Sequence, residues 1–172
     1  HIKVQSNDEI GSLGKAFNLM LDELKKSQRA KNDYSEFITL INQNASLNEI
    51  SNAALNKIIN TCGFLVGALY SIDDEEVTLI CAHGLNNTKT KHERNDFFKK
   101  IIETKEEIEI TSEISLPSVQ AGSLDIKLSY LLLLPVVYNS KVIAVLELAS
   151  LNTPTIESKD YLEKIKDQLA IG

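Results

Sequence analysis

Two long apolar runs joined by a two-residue polar break dominate the last third of the chain. Residues 129–138 and 141–150 are rich in leucine, valine, isoleucine and alanine, and Asn139 and Ser140 separate them. Runs of this kind with such a break are typical of a β-hairpin closed by a tight turn. The sequence therefore predicts two long paired strands near its C-terminal end.

Three further segments have the patterns of strands. Residues 64–72 are almost entirely apolar, as expected of a strand buried on both faces. Residues 77–82 are rich in β-branched and apolar residues and follow an acidic turn at Asp73 and Asp74. Polar and apolar residues alternate over residues 107–111, which indicates a strand with one solvent-exposed face at the edge of a sheet.

A capping box marks the start of a helix in the middle of the chain. Ser46 and Glu49 have the spacing at which each side chain accepts a hydrogen bond from the other residue's backbone amide. Apolar residues then line one face up to about Thr61, and Gly63 supplies the helix stop. We expect one helix between these two signals.

Two shorter helices complete the predicted order of elements. Asn95 can cap a helix in which residues 97–102 form an apolar face, and Ser158 can cap a final helix. Residues 112–127 show no period and predict a long loop that covers a binding site. Helices mixed with strands in this order predict an α+β domain whose antiparallel sheet is covered by helices.

The N-terminal stretch, from Asp8 to about Ala45, predicts a long helix with a narrow apolar seam. The apolar residues recur alternately every three and every four positions, as in a coiled coil, and such a seam needs a partner helix. The seam is interrupted at Ser27 and Lys31, which marks either the end of one helix or an unstable point within a long one. The seam residues are Ile10, Leu13, Phe17, Met20, Leu24, Tyr34, Ile38 and Ile41.

Composition excludes several classes of protein. The chain has 172 residues, 43% of them hydrophobic, which is too apolar for a disordered segment. Its formal net charge of −6 argues against nucleic-acid binding. The longest apolar run, residues 130–138, is about half the length of a membrane-spanning helix, and we expect neither a spanning segment nor a secretory signal.

The two cysteines are expected to be reduced. If the first two strands turn near Asp74, Cys81 lies opposite Gly67, and Cys62 lies roughly five residues or about 16 Å along the ladder. That separation is beyond disulfide reach. We expect buried structural thiols in a reducing compartment, with a redox sensor built from Cys81 near His83 as the alternative.

The stretch VQSNDEIGSLGKAFNLMLDEL resembles the second half of a HAMP domain, whose junction into its second helix typically reads D-E-I-G-x-L-x-x-x-F-N-x-M. The resemblance implies a parallel four-helix bundle made by two subunits just inside the membrane of a bacterial receptor. It assigns residues 1–27 to the C-terminal half of a HAMP domain and residues 28–45 to a signalling helix. The matching residues are Asp8, Glu9, Ile10, Gly11, Leu13, Phe17, Asn18 and Met20.

Residues 46–172 resemble a GAF domain, a ligand-sensing relative of the PAS fold, in the strand patterns GFLVGALYSID and LICAHGL and in the hairpin LLLLPVVYNSKVIAVLEL. The resemblance implies a pocket between the sheet and its covering segments, here residues 97–102 and 112–127. Polar or aromatic groups near this cleft are the candidate pocket residues. They are Tyr70, His83, Phe98, Thr111 and Tyr130.

The specific chemistry of known GAF domains does not carry over. Cyclic-nucleotide-binding members carry N-K and then F-x-x-x-D-E before the last helix, and only Asn152 and Asp160 match. Neither cysteine has the flanking motif of a bilin site, and a haem would depend on His83 alone. We predict no catalytic residues and no metal site, and the sequence requires no cofactor.

These features predict the cytoplasmic portion of a bacterial inner-membrane receptor, with a histidine kinase, simple or hybrid, as the expected parent protein. We expect a homodimer through the N- and C-terminal helices, with a small molecule as a further partner. Two alternatives stay open. The segment is a ligand-free dimerisation and signal-relay spacer, or it belongs to a cyclic-dinucleotide enzyme or a chemoreceptor.

Overall fold

The computed structural model describes residues 9–43, 45–73, 76–85, 91–92, 96–111, 116, 118–121 and 124–170. The chain divides into two compact units, His1–Glu36 and Phe37–Gly172. The predicted domain limits at residues 27 and 45 stay predictions. Within the described part of the chain, no helix is both long enough and apolar enough to cross a membrane.

The second unit is an α+β domain, as predicted. Its described residues form the last turn of α1 (Glu9–Ile41), three further helices and eight strands. The helices are α2 (Leu47–Cys62), α3 (Asp96–Thr104) and α4 (Ile156–Leu169). The strands are β1 (Val66–Ile72), β2 (Val77–His83), β3 (Lys91–His92), β4 (Ile108–Thr111), β5 (Ser118–Ala121), β6 (Leu124–Lys127), β7 (Tyr130–Tyr138) and β8 (Lys141–Ser150).

Six strands form one antiparallel sheet in the order β3-β2-β1-β8-β7-β4. Strands β7 and β8 form the predicted hairpin. Asn139 and Ser140 both have positive φ angles, 47° and 62°, as in a two-residue type I′ turn. Strand β4 lies at one edge of the sheet, as the alternating pattern predicted.

Each face of the sheet has its own cover, because side chains along a strand point alternately to the two sides. On what we call the α2–α4 face, Leu55 and Ile59 of α2 approach Gly67 of β1 so closely that an added Cβ would lie 3.0 and 3.1 Å from them. On the opposite face, the α3 face, Phe98 and Ile101 of α3 pack over the sheet. Both faces are therefore buried under apolar side chains.

The caps of α2 are those that the sequence predicts. The Ser46 amide donates to the Glu49 carboxylate at 2.9 Å, and the Glu49 amide donates to the Ser46 hydroxyl at 3.4 Å. At the other end Gly63 has a left-handed conformation with φ 75°. The helix start and stop are confirmed.

The predicted cap of α4 is wrong by three residues. Thr155 is the N-cap, and its hydroxyl accepts a hydrogen bond from the Ser158 amide at 3.2 Å. Ser158 lies inside the first turn, where its buried hydroxyl donates to the Cys62 carbonyl at 3.3 Å. This bond joins the start of α4 to the end of α2.

The predicted loop at residues 112–127 contains a second, two-stranded sheet made of β5 and β6. Each strand has four residues, which is too short for a period to be recognised in the sequence. Residues 112–115, 117 and 122–123 of this segment lie outside the described residues, as does the predicted cap Asn95.

The predicted register of Cys81 is also wrong. Cys81 pairs with Leu69 instead of Gly67, because the ladder closes on Ile72 and Val77 and shifts by one residue at an irregularity after Leu69. Neither Cys81 nor Cys62 is in a disulfide, and both are buried.

Helix α1 continues through Ser27 and Lys31, so the polar interruption is not a helix end. In the single chain the N-terminal part of the seam is exposed, with 71% of Leu13 and 64% of Leu24 accessible. Tyr34 and Ile38 are half-buried. The assignment of Ile41 to a dimer seam is wrong, because Ile41 is buried in the core of its own chain. The side chain of Ile10 lies outside the described residues. The helix ends at Ile41, four residues before the predicted end.

Two glycines allow a clean test of the turns at the ends of α2 and β2. Gly63 and Gly84 have φ angles of +75° and +71°, but only Gly84 is crowded, since a Cβ there would lie 2.9 Å from the Leu65 carbonyl oxygen. We expect Gly63→Ala to lower the free energy of unfolding by about 1 kcal/mol, the cost of the left-handed backbone. Gly84→Ala adds steric overlap and should cost about 2–4 kcal/mol. Urea unfolding of both variants measures the difference, and equal losses would contradict the crowding at Gly84.

Candidate functional site

A cavity of about 110 Å³ lies on the α3 face of the sheet, over β1, β7 and β8. The strands form its floor, and the segment that contains β5 forms its cover. Its lining is predominantly apolar. The lining residues are Val66, Gly67, Ala68, Leu85, Leu116, Ser118, Val119, Leu128, Leu131, Glu147 and Ala149.

The floor and the cover come from separate parts of the sequence that pack on one another. Leu116 and Leu128 are buried against Val66 and Ala149, and this contact closes one side of the cavity. Val119 packs on the same group from β5. Of the two predicted covers, the segment 112–127 contributes Leu116, Ser118 and Val119 to the cavity, whereas residues 97–102 are not among its described lining residues.

Glu147 is the one charged residue among the described residues that line the cavity. It lies in β8, opposite Ala68 of β1 and Leu133 of β7, both of which are buried. Glu147 is not among the pocket residues predicted from the sequence. A signal was present, because Glu147 is a lone acidic residue among apolar neighbours in KVIAVLELAS.

Tyr70 connects Glu147 to the core beneath α3. Its hydroxyl donates a hydrogen bond to the Glu147 carboxylate. Burial, and secondarily the negative charge of Glu147, raise the pKa of Tyr70, so the phenol stays protonated at neutral pH. The Tyr70 ring packs edge-on against Phe98, with ring centroids 5.2 Å apart.

The five predicted pocket residues are distributed over both faces of the sheet. Tyr70 and Phe98 meet on the α3 face, next to the cavity but outside its described lining. Tyr130 pairs with Thr111 across β7 and β4, and the Tyr130 ring lies beneath Lys159 of α4, on the α2–α4 face. His83 is exposed at the end of β2.

Tyr130 belongs to a contact between α4 and the edge of the sheet. The Lys159 ammonium is 2.6 Å from the Glu109 carboxylate and 5.9 Å from the centroid of the Tyr130 ring. Burial and the charge of Glu109 raise the pKa of the Tyr130 hydroxyl. This group of side chains fixes the start of α4 against β4 and β7.

A second opening, a groove of about 530 Å³, lies between α4 and β7. Six of its nine lining residues are charged, and Lys166 and Glu163 form an ion pair with each other. Exposed charges of both signs are well solvated and favour no particular ligand. The smaller apolar cavity is therefore the better candidate site.

The described residues contain no group of three histidine, cysteine or acidic side chains that could hold a metal ion. Burial raises the pKa of the Cys81 thiol to about 11. At neutral pH the thiol is therefore almost entirely protonated, which disfavours the redox alternative based on Cys81 and His83.

Residues 1–26 match the HAMP domain family. No curated protein matches the chain. Solved structures of GAF domains match most of the chain. The GAF domain of a phosphoenolpyruvate-protein phosphotransferase from Coxiella burnetii is 14% identical, with 83% of this chain and 90% of that chain covered and a TM-score of 0.68.

Two further similar structures differ in the function of their proteins. The GAF domain of a two-component sensor histidine kinase from Bacillus halodurans is 16% identical, covers 73% of this chain and 92% of its own, and has a TM-score of 0.54. The free methionine-R-sulfoxide reductase of Neisseria meningitidis is 13% identical, covers 83% and 86%, and has a TM-score of 0.63.

The larger unit has the GAF fold, and residues 1–26, which precede it, match the HAMP domain family. At such low identity the activities of the similar proteins do not transfer to this chain.

The protonated state of Cys81 can be tested by alkylation. In the variant Cys62→Ser, we expect the rate of reaction with iodoacetamide to rise about tenfold per pH unit from pH 7 to beyond pH 9, because only the thiolate reacts. The variant Cys81→Ser reports the background from Cys62. A rate that levels off near pH 8 would contradict the raised pKa.

Proposed function

We propose that the chain is the cytoplasmic regulatory segment of a bacterial inner-membrane signalling protein, and that the parent protein is a sensor histidine kinase, simple or hybrid. The observation that carries the proposal is the continuity of α1. This helix begins within the HAMP match and reaches the GAF fold without interruption, from Glu9 to Ile41. A continuous helix can transmit a rotation or an axial shift from one end to the other.

The end of α1 packs directly on the last helix of the domain. Phe37 of α1 and Tyr161 of α4 are both buried, and their rings meet edge-on with centroids 6.4 Å apart. An incoming movement of α1 therefore acts on α4 through a close-packed contact. We propose that α4 is the element that passes the signal on.

Helix α4 is also held by the rest of the domain. Ser158 bonds to the end of α2, and Lys159 pairs with Glu109 of β4. Any change in the sheet or its cover thus alters the support of α4. In our proposal, α4 has two alternative positions. Occupancy of the α3-face cavity and movement of α1 each favour one position over the other, by the difference in their interaction free energy with the two positions.

The exposed seam of α1 supports a homodimer. Leu13, Phe17, Met20 and Leu24 are all exposed large apolar residues, and their spacing is that of a coiled-coil seam. Covering them requires a second helix with the same pattern, which a second copy of the chain provides. The proposal includes no nucleic-acid partner.

A second candidate function is a ligand-free dimerisation spacer. The small volume of the cavity, about 110 Å³, favours it, because the domain fills most of its interior with its own side chains. A cyclic-dinucleotide enzyme or a chemoreceptor as parent would use the same segment in the same way.

The dimer is tested by replacing one seam residue. Leu24→Asp places a charge in the seam, and we expect the dimer to weaken at least tenfold, because a charge cannot be buried there without a partner. Sedimentation equilibrium and native mass spectrometry of the chain measure the change. Gln28→Asp is the matched control, since Gln28 is exposed and lies outside the seam. Equal dimerisation of the two variants would overturn the proposed interface.

The contact between α1 and α4 is tested by a double-mutant cycle. Phe37→Leu and Tyr161→Leu remove the edge-on ring pair singly and together. Aromatic pairs contribute about 0.5–1.5 kcal/mol beyond the area they bury, so we expect a coupling of that size in the free energy of unfolding. Additive losses in the two variants would show that the helices are not energetically linked at this contact.

A further inference from the structure

We infer that two copies of α1 pack parallel and in register, and that Lys31 of one copy faces Lys31 of the other in a like-charge layer of the seam. The inference rests on the homodimer proposed above and names the residue that limits how tightly, and in what alignment, the two copies pair. It follows from the position of Lys31 on the helix and from the neutral residues around it.

Lys31 occupies a seam position of α1. It follows Leu24 by one heptad, and the coiled-coil spacing continues from there to Tyr34 and Ile38, which are half-buried. Since α1 is helical without a break from Glu9 to Ile41, the seam runs past Lys31 on one face of the helix. Lys31 is exposed in the single chain. A second copy that packs along the whole seam therefore also meets Lys31.

The polar interruption of the seam favours one alignment of the two helices. A parallel, in-register pair brings each seam residue against its own counterpart, so the apolar residues before and after the interruption all gain apolar partners. A parallel pair shifted by one heptad would place Lys31 of one copy against Leu24 of the other. An antiparallel pair either opposes Lys31 to an apolar residue or leaves part of the seam uncovered. The parallel, in-register pair is therefore the alignment that covers the seam best.

The residues around Lys31 in such a pair are all neutral. Residues one turn away on its own helix, and the residues that the second copy brings beside it, include no aspartate or glutamate. These neighbours are Ser27, Gln28, Ala30, Tyr34 and Ser35. No carboxylate of the seam is thus placed to compensate the two ammonium groups.

Two facing ammonium groups repel each other and lower the stability of the dimer. The long lysine side chains can turn their charges toward solvent while their alkyl stems pack in the seam, so the layer weakens the dimer without preventing it. A lysine at one such position fixes the register of a coiled coil at a cost in stability. In sequence, the layer follows the HAMP match at residues 1–26 and separates two apolar parts of the seam.

The experiment removes or reverses the charge at Lys31 in the full chain. Sedimentation equilibrium measures the dimer dissociation constant at neutral pH. Lys31→Met removes the charge and keeps a long unbranched side chain, and we expect at least about tenfold tighter dimers. Lys31→Glu restores a like-charge layer of opposite sign, so its dissociation constant should stay within about threefold of the wild-type value.

Lys25→Met and Lys25→Glu are the matched controls. Lys25 is exposed and lies one position after Leu24, off the seam, so its variants change the net charge of the chain by the same amounts. We expect both controls to dimerise within about twofold of the wild-type chain, because an exposed charge outside the seam contributes little.

A mixture of the wild-type chain and Lys31→Glu tests the alignment itself. In the mixed dimer a lysine faces a glutamate, which replaces repulsion by attraction. One of the two chains is labelled with heavy nitrogen, and native mass spectrometry then counts homodimers and heterodimers after equilibration. We expect heterodimers to be clearly more than the statistical half of all dimers. The mixture with Lys25→Glu should give the statistical half.

Each contrary outcome has a distinct meaning. Heterodimers at the statistical half in the Lys31→Glu mixture would overturn the inference, because Lys31 then does not face its counterpart. Dimers of Lys31→Met no tighter than those of Lys25→Met would also overturn it, and the proposed homodimer would stand if Leu24→Asp still weakens association. If every variant, including Lys31→Met, is monomeric, both the inference and the proposed homodimer are overturned.

Discussion

The pairing of β1 with β8 in the middle of the sheet is the interaction on which the rest of the domain depends. Val145 and Leu148 of β8 are fully buried but point to opposite faces, one toward α3 and the other toward α2. Because the strand carries apolar side chains on both of its faces, both faces must be covered. The helices and the segment around β5 provide that cover, and the cavity lies where the cover is incomplete.

Long apolar runs and one specific capping motif predicted their elements well. The two apolar runs gave the β7–β8 hairpin, and the Ser46–Glu49 spacing gave the start of α2, because each depends only on local sequence. Short or degenerate signals failed. Thr155 and Ser158 are both good caps three residues apart, and β5 and β6 are too short to show a period. The shift in the ladder after Leu69 has no sequence signature at all.

The candidate site was harder to predict than the fold, for a geometric reason. The sequence assigns alternate strand residues to opposite faces but does not say which face holds the cavity. Tyr70 and Phe98 lie on the face that holds the cavity, whereas Thr111 and Tyr130 point toward α4. Selection by residue type favoured aromatic and hydroxyl groups, and it therefore passed over Glu147, the lone charge in an apolar strand.

The alternation of side chains across the central strands has a consequence for how such a domain can diversify. The side chains of Ala68 and Glu147 line the cavity and point away from α2 and α4, whereas Leu148 and the side-chain direction at Gly67, which lines the cavity only with its backbone, face α2. Substitutions at one set of positions can thus alter ligand preference while the packing of the helices is retained. Alternate positions of one strand therefore have different roles. One set determines the chemistry of the cavity, the other set determines the packing of the helices, and the sequence of each set can change independently of the other.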